Sequence, residues 1–346
     1  MEMRKLGDSG IEVSSICLGT MTFGEQNSLE EAFEQLDYAF ERGINFIDTA
    51  EMYPVPPKKE TYSRTEEYLG KWLNSRGHRD RLILASKVVG PSATFTYVRD
   101  GKPRLDRKNI EQALDSSLRR LQTDYLDLYQ LHWPDRNTNF FGKRSYEHDS
   151  TETMVPIEDT LEVLYDFVSK GKIRSIGLSN ETPWGVMKFL QLAKERSWPR
   201  IVSIQNPYNL LNRIYEIGLA EVSCRENCGL LAYSPLAFGV LSGKYLGGKK
   251  PDGARVTKWE RFNRYSNENG VKATKRYAEL AQFCKIDPSQ MAIAFCLKQA
   301  FMTSVIIGAT TMEQLKIDIA SLDVKMSDEL LQSINSIHQE IPNPCP

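Results

Sequence analysis

Four polar side chains stand where apolar runs end. Asp48 follows the run 44–47, Lys87 follows 82–86 and His132 follows 126–131. Tyr53 lies five residues after Asp48, in the same connecting segment. Together these residue types can protonate an oxygen. A tyrosine with a pKa near ~10 is a poor acid at neutral pH. A lysine cation beside it favours the phenolate and lowers that value. An aspartate beside the lysine holds it charged and oriented. A histidine can hydrogen-bond a substrate oxygen and fix its direction. Such a set suits carbonyl reduction, in which negative charge builds on the oxygen. Each residue also has an ordinary reading. Asp48-Thr49 could cap a helix, Lys87 could snorkel from a strand end, Tyr53 could be a loop aromatic, and His132-Trp133-Pro134 could end a strand. Their shared place at strand ends favours the chemical reading.

The elements that must position them alternate. Apolar runs at 15–18, 44–47, 82–86, 126–131, 173–178, 201–204, 230–233 and 305–307 read as about eight strands. They are nearly continuous rather than alternating, as strands covered on both faces should be. Helix signals lie between them. Ser28 and Glu31 have capping-box spacing, Leu29, Phe33, Leu36 and Phe40 keep helical spacing, and Gly43 supplies a stop. Ser63 with Glu66 and Thr311 with Gln314 repeat the box pattern, and Thr182-Pro183 and Asp287-Pro288 place a cap before a first-turn proline. The segment 156–170 carries Ile157, Leu161, Leu164 and Val168 on one face and ends at Gly171.

Strands alternating with helices predict a parallel sheet, open or closed. The strand count and the lack of a composition break favour one closed (β/α)8 TIM barrel over residues 1–346. Residues 3–6 and 12–14 flank the turn-rich 7–10 and read as a β-hairpin ahead of it. A last helix is expected over 328–338. The connections 54–62, 134–155 and roughly 236–266 are longer than a packed turn needs. In a barrel all three lie on the C-terminal face, where active sites are built.

Composition narrows the classes. The chain has 346 residues, 41% hydrophobic and 26% charged, with a net charge of −1. That balance describes a globular protein and argues against nucleic acid as a partner. Cys17, Cys224, Cys228, Cys284, Cys296 and Cys345 form no tight paired framework. Cys224 and Cys228 are four apart on an expected helix, a spacing that could put them on one face, but His78, His132, His148 and His338 are scattered, so no metal site is expected. The first ten residues lack the apolar run of a signal peptide, and no run reaches the ~20 residues of a membrane span. The expectation is a reduced, cytoplasmic protein without a membrane partner.

With GINFIDTAEMY at 43–53, SKV at 86–88 and LDLYQLHWPD at 126–135, the sequence resembles the aldo-keto reductase superfamily, and the segments MYPVPPK at 52–58 and HWPDRNTNFFGK at 132–143 look most like its bacterial Tas-like NADP(H)-dependent subgroup. GINFIDTAEMY at 43–53 is similar to the segment around the family's Asp and Tyr. SKV at 86–88 is similar to its lysine motif and LDLYQLHWPD at 126–135 to its histidine motif. The likeness runs from GTMTFG at 19–24 to GATTMEQL at 308–315. It implies NADPH, hydride transfer to a small aldehyde or ketone, and a tetrad of Asp48, Tyr53, Lys87 and His132. Tyr53 would be the general acid, Lys87 the modulator of its pKa, Asp48 the partner of Lys87, and His132 the substrate orienter. It places Gly19, Thr20, Met21 and Asp48 near the cofactor, Ser179, Asn180 and Gln205 beside the carboxamide, and Tyr233 on the nicotinamide. Ser234, Pro235, Leu236, Gly239, Leu241, Gly243 and Lys244 would wrap the pyrophosphate. Gly308, Thr310, Gln314 and Asp318 would hold the adenosine end.

No G-x-G-x-x-G follows the first strand, so the Rossmann fingerprint is absent. Lys244 and Arg255, on the long 236–266 connection, are suited to neutralising phosphates. Many relatives have Glu-Asn where this chain has Ile317-Asp318, and an ionised aspartate accepts but does not donate. Trp133, Phe140, Phe141 and Tyr146 are either an aromatic wall over the substrate or the core of their own loop. A second reading of the whole chain is a cofactor-binding regulatory subunit similar to channel β-subunits. No sequence pattern specifies an oligomeric state.

Overall fold

The eight apolar runs become the eight parallel strands of one closed barrel in the computed structural model, which describes residues 1–346. The chain begins with β1 (Met3–Lys5) and β2 (Glu12–Ser14), an antiparallel hairpin. The barrel follows as β3 (Ile16–Gly19), β4 (Phe46–Asp48), β5 (Ile83–Val88), β6 (Leu126–Leu131), β7 (Ile173–Ser179), β8 (Ile201–Pro207), β9 (Gly229–Tyr233) and β10 (Met302–Ile307). Each strand pairs with the next, and β10 closes on β3 with Val305 opposite Ile16. Around it lie α1 (Leu29–Glu41), α2 (Arg64–Arg76), α3 (Arg107–Leu121), α4 (Ile157–Ser169), α5 (Pro183–Arg196) and α6 (Leu219–Glu226). After β9 come α7 (Arg255–Lys258), α8 (Glu268–Phe283) and α9 (Pro288–Leu297), then α10 (Met312–Ile319) and α11 (Asp328–Glu340) beyond β10. No helix is long and apolar enough to cross a membrane.

Local chemistry explains most helix starts. Ser28 and Glu31 form a complete capping box on α1. Thr182 caps α5 and Asp287 caps α9, each ahead of its first-turn proline. Two expected boxes differ. Ser63 sits at φ +65° and its hydroxyl donates to the Glu51 carbonyl, while Glu66 accepts from Ser86 and Arg120. Tertiary partners there outcompete the local bond. Thr311 caps α10, but the Gln314 side chain turns back to Thr310 instead of the cap.

The barrel interior has two layers, and the strand period of two separates them. The lower layer is apolar: Cys17, Phe46, Ala85, Leu128, Leu231 and Ile306, closed from below by Leu6, Ile11 and Val13 of the hairpin. Gly7 lets the hairpin come that close, because a Cβ there would lie 2.7 Å from the Val202 carbonyl oxygen. Two residues up the strands the layer turns polar: Asp48, Lys87, Gln130 and Gln205, all buried. The larger core lies between strands and helices and includes Trp72, Tyr129 and Phe167. The helices pack tightly there, and a Cβ on Gly70 of α2 would sit 2.0 Å from the Arg120 carbonyl oxygen of α3.

Strand limits move by a few residues in ways that matter. Asp48 and Lys87 lie inside β4 and β5, not beyond them, and Gly19, Ser179 and Gln205 are also strand residues. Barrel pairing carries β3, β4, β5, β7 and β8 past the ends of their apolar runs, because the polar layer satisfies itself. The connection 89–106 is as extensive as those expected to be long, with only a short 3-10 turn at Arg99–Gly101.

Candidate active site

The four tetrad residues converge at the C-terminal end of the barrel. The segment after β4 runs alongside β5: Thr49 N–H donates to the Ala85 carbonyl at 2.9 Å and Glu51 N–H to the Lys87 carbonyl at 3.2 Å. This pairing carries Tyr53 over Lys87. The Lys87 ammonium, fully buried, donates to Asp48 Oδ2 at 2.5 Å, to the Thr49 carbonyl at 2.8 Å and to Tyr53 Oη at 3.4 Å. Asp48 Oδ1 accepts from Gln130 at 3.0 Å and from Gln205 at 2.8 Å. The His132 ring meets Tyr53 edge-on, with centroids 5.8 Å apart.

Electrostatics assign protons. Burial by itself lowers the Lys87 pKa, but the Asp48 carboxylate and Tyr53 outweigh it, so the net shift is upward and Lys87 is a cation. The sequence predicts a lowered Tyr53 pKa. Instead it is raised, because burial outweighs the opposing pull of Lys87. Lys87 offsets part of the burial effect, and Tyr53 holds its proton at neutral pH. Burial, then Lys87, push the His132 pKa well below its ordinary value. His132 is therefore a neutral imidazole, and its Nδ1 has no partner within the protein.

The expected cofactor residues lie around the same mouth. Asn180, at φ +54°, donates to the His132 carbonyl at 2.9 Å and accepts from the Tyr233 hydroxyl at 2.7 Å. Ser179 donates to the Gln205 carbonyl at 2.8 Å. Thr20 directs its hydroxyl to the Asp48 carbonyl at 2.9 Å, and the Met21 carbonyl accepts from Val55. Leu241 is buried in the core. Gly239 and Gly243 have φ of +86° and +79°, and Ser234 has φ +55°. Gly308 is exposed beyond β10, and the Thr310–Gln314 pair sits beside it.

Some site residues were not singled out from the sequence. Gln130 and Glu51 are buried in the site, and Phe95 of the 89–106 connection packs on Trp133. Gln130 had a signal: it is the one amide in an otherwise apolar inward row with Leu126 and Leu128. The aromatic question divides. Trp133 and Phe140 join Met52, Phe95 and Val98 in a small cluster that includes Tyr53. Phe141 packs edge-on against Trp133 yet stays half exposed, and Tyr146 lies at the surface against His148.

Comparison with known proteins agrees with this geometry. Residues 15–339 match the aldo/keto reductase family. The chain belongs to that family. It is 54% identical to Protein tas of Escherichia coli (strain K12) over 346 residues, all of both chains. It is 37% identical to an aldo-keto reductase of Babesia bovis over 279 residues, 76% of this chain and 98% of the other. It is 30% identical to L-glyceraldehyde 3-phosphate reductase of Escherichia coli (strain K12) over 331 residues, 93% and 88% of the two chains. This aldo/keto reductase is thus an oxidoreductase, of a family that generally uses reduced nicotinamide cofactors.

The connection after β9 is strongly cationic. It carries Lys244, Lys249, Lys250, Arg255, Lys258, Arg261 and Arg264 against Asp252 and Glu260, and none of these cations is in an ion pair. Arg255 is half-buried, with its guanidinium 5.5 Å from the Phe262 ring centroid and 5.8 Å from that of Phe238. Burial, then Arg255, lower the Lys244 pKa, and burial lowers that of Arg255. Asp318 is buried nearby, its carboxyl pushed up to about 8 by burial and then by Asp287, against the pull of Lys244.

Proposed function

We propose that this protein reduces the carbonyl of a small aldehyde or ketone with NADPH, and that Tyr53 gives the proton. The observation that carries the reading is the continuous chain from Tyr53 Oη through Lys87 Nζ to Asp48, at 3.4 and 2.5 Å. When bound, NADPH supplies the hydride to the carbonyl carbon. Asn180, Ser179 and Gln205 fit the carboxamide end, since Asn180 Oδ1 keeps a second lone pair for a donor. Tyr233 fits the face of the ring. The main chain of 234–243 with Lys244 and Arg255 fits the phosphates, whose charge would relieve two desolvated cations.

The neutral His132 imidazole can donate to the substrate oxygen and hold it toward Tyr53. Tyr53 then transfers its phenolic proton to that oxygen. Lys87, kept cationic by Asp48, stabilises the phenolate left behind. Gln130 and Gln205 hold Asp48 from the far side, so the charge is fixed in place. The apolar cluster of Met52, Phe95, Trp133 and Phe140 excludes water from this transfer.

The test is Tyr53→Phe, assayed with NADPH against neutral and anionic small aldehydes. Turnover should fall at least ~100-fold, the lower range for general acid catalysis, with NADPH binding retained. Near-normal turnover in this variant would remove Tyr53 from the mechanism. A wild-type protein that binds NADPH but turns over no carbonyl would refute the reductase reading.

A further inference from the structure

Glu51 is 1% exposed, two residues before Tyr53, and its carboxylate bonds to no tetrad side chain. Its Oε1 accepts from Val89 N–H at 2.6 Å, two residues beyond Lys87. Its Oε2 accepts from Arg99 at 2.5 Å and from the Tyr62 hydroxyl at 3.1 Å. Its main-chain N–H reaches the Lys87 carbonyl, and its own carbonyl takes the Ser63 hydroxyl at 2.7 Å. One residue therefore joins the Tyr53 segment, the end of β5, and the connections 54–62 and 89–106.

Arg99 is held as firmly. It donates to Asn109 at 2.8 Å and to the Val89 carbonyl at 3.3 Å. Its φ is +43° and that of Asp100 is +59°, left-handed values that non-glycine residues keep only where the surroundings enforce them. Two more buried carboxylates play a similar part further round the mouth. Asp135, three residues after His132, holds Arg104 at 2.6 Å. Glu181, next to Asn180, holds Arg136 at 3.0 Å. These pairs link the connections after β4 and β5, after β5 and β6, and after β6 and β7. Of the three, Glu51 alone bonds directly to both segments that carry Tyr53 and Lys87.

We propose that Glu51 is a positioning residue for proton transfer, setting the separation of Tyr53 Oη and Lys87 Nζ through its bonds to Val89 and Arg99. This rests on Tyr53 being the proton donor. The groups facing Tyr53 are Lys87, Asp48 and Arg255, with His132 at its edge. Glu51 faces Arg99 and Tyr62, with Tyr129, Glu66 and Arg120 behind them. Without the Glu51 clamp, Tyr53 and Lys87 drift apart. The cation then stabilises the phenolate less, and Tyr53 becomes a weaker acid.

The experiment compares Glu51→Ala and Glu51→Gln with the wild-type enzyme in NADPH-dependent aldehyde reduction. Readouts are kcat across pH, NADPH affinity by fluorescence, and a near-ultraviolet titration of Tyr53 taken as the difference from Tyr53→Phe. A misplacement of about 1 Å costs roughly 100-fold, so Glu51→Ala should lose ~10- to 100-fold in kcat with NADPH affinity within about twofold. The alkaline limb of kcat and the Tyr53 titration should both move up. Glu51→Gln keeps an acceptor for Val89 N–H and should lose less, and it decides the matter if Glu51→Ala does not fold. Folded variants with wild-type kcat and an unmoved Tyr53 titration, changed only in melting temperature, would overturn the proposal. Failure of the donor reading is separate: it shows as an active Tyr53→Phe, whatever the Glu51 variants do.

Discussion

Asp318→Asn should stabilise the protein at neutral pH and flatten its response to pH. The folded protein holds the Asp318 proton up to about 8, against an ordinary carboxyl value of 3.8. The unfolded chain releases it near the ordinary value. Between those two values folding takes up a proton, so the contribution to stability is fully present below about 4. It is lost as pH rises toward about 8 and stays lost beyond. The distance from 3.8 to neutral is about 3 units, and at ~1.4 kcal/mol per unit the loss at pH 7 is about 4 kcal/mol. Asparagine does not titrate, so the variant should recover much of this, less the cost of hydrogen-bonding a buried amide, about 1–3 kcal/mol if unmet. Denaturant unfolding of both proteins near pH 5, near pH 7 and near pH 9 measures it. The wild type should lose stability to the variant steadily up to about pH 8. Parallel pH curves within roughly 0.5 kcal/mol would show that Asp318 is not a buried protonated acid. There is a functional corollary. A protonated Asp318 can donate a hydrogen bond, as an asparagine amide can, so wild-type NADPH affinity should weaken above about pH 8 while the variant's does not.

Lys244→Ala combined with Arg255→Ala should weaken NADPH by about tenfold or more, and NADH by less, because charge-assisted bonds to phosphate carry ~1.5 kcal/mol or more each. Equal losses for the two cofactors, by fluorescence titration, would show that neither residue reads the 2′-phosphate. Gly70→Ala should destabilise by roughly 1–3 kcal/mol or more, since the new Cβ would sit 2.0 Å from the Arg120 carbonyl and must force α2 from α3. An unchanged unfolding midpoint would mean the helices have slack there.

The sequence by itself determined what is set by neighbours a few residues apart. Apolar runs marked all eight barrel strands, because strands covered on both faces need them. The caps at Ser28, Thr182 and Asp287 were legible because each bond closes within three residues. The residue types of the tetrad and their order along the chain were legible too. Only the tertiary structure decided what depends on distant partners. Closure of the barrel rests on β10 pairing with β3, nearly the whole chain apart. Ser63 abandons its expected cap for Glu51, and Glu66 turns to Arg120, because those bonds exist only after packing. Gln130 and Glu51 became site residues once strand register faced one to Asp48 and bonded the other to Val89. The protons on Tyr53 and Asp318 were decided last, since desolvation is set by everything packed around a group and by no local spacing.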